Sequence, residues 1–148
     1  MYTFIKFLHL VSAIIWLGGI TFMLFALRPA LGEQLTPPQR LPLLAKVLRR
    51  FFLLVWSAIV LLLASGGFMM GHVGAQATPL GWHLMAGIGV LMCLIFGHLY
   101  FAPYRRLQAA VAAADWPEGG RRANQIAQLA MVNFWLGWLA IAAITFLA

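Results

Sequence analysis

Phe51–Tyr104 reads FFLLVWSAIVLLLASGGFMMGHVGAQATPLGWHLMAGIGVLMCLIFGHLYFAPY and contains no Asp, Glu, Lys or Arg. A soluble domain surrounds its core with charged faces, so a run of this length without one points to lipid as the solvent. One helical crossing takes roughly 20 residues. The run is too long for that, and Gly71, Gly74 and Pro79 mark the turn that divides it in two. Working outward, two more apolar segments flank it, at about Phe4–Leu27 and Ile126–Ala148. Four spans, at about 4–27, 51–70, 80–101 and 126–148, occupy nearly all of the 148 residues. They predict a single transmembrane domain over 1–148, in an all-α fold. Short connections favour antiparallel neighbours, so the expected architecture is an antiparallel four-helix bundle.

Composition agrees, with 64% hydrophobic and 9% charged residues. Lys6 ahead of an apolar stretch is how a signal peptide begins, but Phe7–Leu27 is longer than an ordinary signal core. The first span is therefore expected to be retained as a helix. The net charge of +7 does not indicate nucleic acid, because the basic residues form neither a tail nor a stripe on a polar helix. They fall in two loops, as Arg28, Arg40, Lys46, Arg49 and Arg50 in one and Arg105, Arg106, Arg121 and Arg122 in the other. The positive-inside rule makes that side cytoplasmic, giving an N-out/C-out protein of a bacterial inner membrane with both termini periplasmic. The arginines read first as topology determinants that meet anionic lipid. Leu41–Arg50 is expected to extend the second helix. Tyr104–Ala114 is expected to lie in the interface until Asp115, Pro117, Gly119 and Gly120 break it.

With carboxylates and lysines absent from the spans, except Lys6 at an end, the chemistry rests on histidine and sulfur. The expected topology sets the depths. His9 in the first span, Met69, Met70 and His72 ending the second, and His83 and Met85 opening the third all fall in one outer layer. His98 lies about 22 Å from His83 along the helix and is excluded. Two chemistries suit the layer. Haem b takes one or two axial ligands from facing helices and an apolar cleft, which His9 and His83 would satisfy. Reduced copper takes thioethers with imidazole, which favours Met69, Met70, His72 and Met85 beside the histidines. Trp16, seven residues after His9 on the same face, and Asn133 in the fourth span are candidates to line the interior. Single Cys93 forms no intrachain disulfide and excludes Cys-x-x-Cys-His haem attachment.

Ile5-Lys6-Phe7-Leu8-His9, followed by Ile15-Trp16-Leu17-Gly18-Gly19 and Phe22, resembles the first helix shared by small CopD-type membrane proteins and HemJ-type protoporphyrinogen oxidases. Arg49-Arg50-Phe51, Gly66-Gly67 and Trp82-His83-Leu84-Met85 extend the resemblance over most of the chain. It implies a four-helix core. For the HemJ group it also implies a b-type haem ligated by the histidine that corresponds to His9. One position departs: Met85 stands where the HemJ group has a functional lysine, which speaks against protoporphyrinogen oxidation while leaving a haem site. The CopD resemblance implies copper resistance or uptake.

The primary expectation is thus a haem b-binding membrane redox protein with His9 as axial ligand and His83 or Met85 opposite. Quinone, a porphyrinogen or another electron partner would exchange electrons with it, and self-association is left open. The alternative is a copper-handling protein using the outer His/Met cluster, with Met23, Met92, Cys93 and His98 as deeper ligands. A third reading is a structural or assembly subunit of a membrane complex.

Overall fold

Gly74, at φ +89°, ends the first half of the charge-free run: only glycine adopts that backbone freely, and its N–H closes on the Met70 carbonyl at 3.0 Å. Pro79, in an extended conformation, precedes the next helix. A computed structural model describes residues 1–74 and 76–148, and among these every regular element is helical. Four long helices result: α1 Tyr2–Gln34, α2 Pro37–Val73, α3 Leu80–Ala112 and α4 Trp116–Phe146, each long and apolar enough to cross a membrane. The protein is a multi-pass membrane protein.

All four helices run past the apolar segments at the end that carries the basic residues. At 1.5 Å per residue, 31–37 residues exceed the roughly 30 Å of hydrocarbon by several turns. Hydropathy marks where lipid stops, whereas a helix stops where its backbone is capped or broken. For α2 the start is Pro37-Pro38, at positions where the missing N–H groups cost nothing. For α4 it is Asp115, whose carboxylate accepts from the Glu118 N–H at 3.2 Å, with proline in the first turn. The helix starting near 126 on hydropathy thus starts at 116, and Gly119 and Gly120 lie inside it rather than breaking the chain. Gly119 is buried there, and a methyl group on it would come within 2.9 Å of Leu41 Cδ1. Nor does 104–114 lie flat in the interface. Its helical part, to Ala112, continues α3, with Leu107 and Ala110 buried.

Each of α1 and α3 contains one π turn near this end, Met23–Leu27 and Tyr100–Tyr104. Proline explains both. Pro29 follows the first and Pro103 lies in the second; neither has an N–H to give the α-helical ladder, and the Arg28 N–H reaches back to the Met23 carbonyl instead.

The helices associate as two antiparallel pairs, α1 with α2 and α3 with α4. The pairs join chiefly toward the basic end. Phe52 and Phe96, nearly inaccessible, meet edge to face at 5.2 Å, with Trp56, Tyr100 and Tyr104 around them and Trp16 edge-on to Phe96. Toward the termini the buried residues are mostly small, Ser12, Ser65, Thr78, Gly81, Gly137, Ala140 and Ala143, with Met69 the large exception. Gly81 brings α3 against the end of α4, its N–H donating to the Leu147 carbonyl at 3.1 Å. Phe4, Phe7, Leu10 and Ile14 on α1 and Trp135, Trp138 and Leu139 on α4 are among the large apolar side chains left exposed, the surface a bilayer covers.

Candidate metal-binding seam

Because α1 and α2 are antiparallel, descending positions on one face ascending positions on the other. Tyr2 meets His72, with ring centroids 5.5 Å apart, and His9 meets Ser65. On α2, Ser65, Met69 and His72 are spaced by four and three residues, one face of a helix. Ser65 and His72 meet α1 along a seam, and Met69 shares their face of α2. His72 is exposed near the mouth, stacked on Phe68 at 6.0 Å with ring planes 8° apart. Met69 is buried one turn deeper. His9, half-buried, lies another turn down.

The protonation of His9 follows from its partner. The Ser65 hydroxyl has one hydrogen, and the Leu61 and Leu62 carbonyls of its own helix are both within reach to accept it. Its oxygen lies 2.8 Å from His9 Nδ1. With the hydroxyl hydrogen given to its own helix, the imidazole would donate from Nδ1 and keep its lone pair on Nε2, one of the two neutral forms that bind a metal. Gly66 gives the ring room: a methyl there would touch His9 Cε1 at 3.4 Å. Ser12, buried one turn from His9, bonds the Leu8 carbonyl at 2.8 Å and does not engage the ring.

The remaining candidates lie elsewhere. Met70, half-buried, is one residue off the seam face. His83 is exposed near the start of α3, its Nε2 2.7 Å from the Thr78 hydroxyl in the preceding turn. Met85 is half-exposed on that same helix. Since α3 pairs with α4, His9 and His83 belong to different helix pairs and bond different hydroxyls. Trp16 is a core anchor, 4% exposed. Of the deeper sulfur and nitrogen groups, Met92 is buried, Cys93 and Met23 are half-buried, and His98 is exposed. Among the described residues no three His, Cys, Asp or Glu side chains cluster closely enough to hold a metal, so a site here draws on thioether as well as imidazole. Sequence reasoning missed Ser65; the signal available was a lone serine four residues before Met69 in an otherwise aliphatic stretch.

A four-helix bundle whose buried polar side chains, among the described residues, are a few hydroxyls and one amide defines the class: a multi-pass membrane protein. Within that class, the chain belongs to the CopD family. The family model described as copper resistance protein D matches residues 45–147, from the basic extension of α2 to the end of α4. Ser65, Met69, Met70, His72, His83 and Met85 lie inside the matched segment, and His9 and Trp16 precede it. No curated protein and no solved structure matches the chain.

Proposed function

We propose that this protein handles copper at the membrane, and that the α1–α2 seam accepts Cu(I) as cargo at the end that carries the termini. The observation that carries the reading is the pairing of His9 Nδ1 with the Ser65 hydroxyl at 2.8 Å, which holds an imidazole in the α1–α2 seam one turn below the level of Met69, with His72 nearer the mouth. Imidazole with thioether is a donor set suited to Cu(I). Graded depth adds direction: His72 at the mouth offers a first contact, Met69 a softer second, and His9 the innermost. Nine basic residues at the opposite end support placing the seam on the periplasmic side of a bacterial inner membrane. The family's copper-resistance description supports the same cargo.

Haem b has weaker support. Paired axial ligation by His9 and His83 needs both imidazoles directed into one apolar cleft, and His83 is exposed near the start of α3 with its Nε2 2.7 Å from the Thr78 hydroxyl. The two readings separate on one sample. Detergent-purified protein, equilibrated with Cu(I) against a chromophoric chelator, should retain about one copper per chain. Both His9→Ala and Met69→Leu should weaken that retention by about tenfold or more. Copper retention no better than that of the His9→Ala variant, with a reduced b-type alpha band in the visible spectrum, would replace copper by haem; neither signal would defeat both.

A further inference from the structure

At the basic end, a cavity of about 350 Å³ opens between the extension of α1 and the first turns of α2 and α4. Arg28 and Arg40 reach it from two helices and Asn124 from a third, over a floor that includes Leu41. We propose that this cavity is a binding site for a phosphate-bearing anion.

Arg28 is exposed, and a guanidinium serving only to set topology would be free to wander in water. Here it is held: it donates to the Asn124 side-chain oxygen on α4. That bond also fixes the amide, turning an oxygen toward one arginine and leaving its NH2 group as a donor. Carboxylates do not neutralise the pair. Among the described residues the ion pairs are those of Arg121 and Arg122 with Glu118, and neither Arg28 nor Arg40 takes part in one. Two uncompensated guanidinium groups and an amide around a concave space match the acceptors and charge of a phosphate. Depth fits as well. Arg28 directly follows the apolar span that ends at Leu27, which sets the cavity at the headgroup layer of the basic end. Basic pockets between helices at that level are where anionic headgroups are held. Gly32 and Gly120 leave the walls open, since a methyl group on either meets nothing within 4 Å.

A phospholipid headgroup and a free phosphate share this chemistry, and one experiment separates them. Thermal unfolding of the detergent-purified full chain would be followed while phosphatidylglycerol or inorganic phosphate is titrated. Stabilisation by phosphatidylglycerol alone identifies a lipid headgroup; stabilisation by inorganic phosphate as well identifies a site open to soluble anions. In either arm Arg40→Gln should weaken the apparent affinity about tenfold, the loss of one charge-assisted contact. Gly120→Leu, which keeps both arginines but fills the space, should do the same. Arg50→Gln, removing equal charge at the same end but outside the cavity, should not. The proposal is overturned if neither probe stabilises the protein, if Arg50→Gln weakens binding as much as Arg40→Gln, or if Gly120→Leu binds unchanged.

Discussion

Replacing Ser65 by alanine should loosen copper while leaving the bundle standing, and the structure sets the size of both effects. The hydroxyl makes two kinds of interaction: it faces carbonyls of its own helix, at Leu61 and Leu62, and it pairs with His9 Nδ1. The first is a bond added to a carbonyl within an intact helix, so its loss costs little, and alanine is the better helix former. The second leaves one N–H without its acceptor in a low-dielectric seam, about 1 kcal/mol on the scale measured between membrane helices. Unfolding should therefore shift by no more than about 1 kcal/mol. Copper affinity depends on the same bond differently. Without the hydroxyl the proton is free to occupy Nε2, and the ring is free to turn. Removing the group that orients a metal-binding histidine typically costs 10–100-fold in affinity, about 1.4–2.8 kcal/mol. Chelator competition on wild type, Ser65→Ala and Ser12→Ala would measure it. Ser12 is the matched control, a buried serine one turn from His9 that bonds its own helix. Equal affinities for Ser65→Ala and wild type would refute the tautomer argument, as would an equal loss in Ser12→Ala.

Three further outcomes test the packing. Gly81→Ala should destabilise by about 1–3 kcal/mol in thermal unfolding, because a methyl there collides with the Ala143 carbonyl and lies 2.9 Å from the Leu147 backbone; Gly87→Ala, with nothing within 4 Å, should not. Phe52→Ala should cost about 3–5 kcal/mol, since its ring is 4% exposed and meets Phe96 and Tyr104 edge to face. Asp115→Ala should fray the start of α4 by about 1 kcal/mol, read as faster amide exchange confined to the first turns after 115.

The spans were legible because lipid imposes a simple rule, and Phe51–Tyr104 obeys it without exception. The helix ends were less so, for a reason the structure makes plain. Asp115-Trp116-Pro117-Glu118 is a helix start written in capping chemistry, yet Gly119-Gly120 just after it reads as a loop when only propensity is weighed. At the buried Gly119 the absent side chain admits Leu41, so packing overrides the backbone cost. For the candidate site, the sequence offers donor residues but not their grouping. Helical spacing puts Ser65, Met69 and His72 on one face whatever the fold, but it says nothing of which neighbour that face meets. Pairing α1 with α2 joins His9 to that face, and pairing α3 with α4 carries His83 and Met85 to another. The deciding features are close approaches such as Gly19 under the Phe51 ring and Gly81 against the end of α4, which depend on three-dimensional fit.

The uneven core has a mechanical consequence. Interlocked aromatic rings clamp one end of the bundle, while glycine, alanine and serine give the other end few atoms to hold it shut, and sparse packing lowers the cost of local opening. The molecule is built like a clothes peg, sprung at the basic end and free at the jaws. The His9–Ser65 contact lies within one jaw, between α1 and α2, so a small spreading of the two pairs would leave it intact.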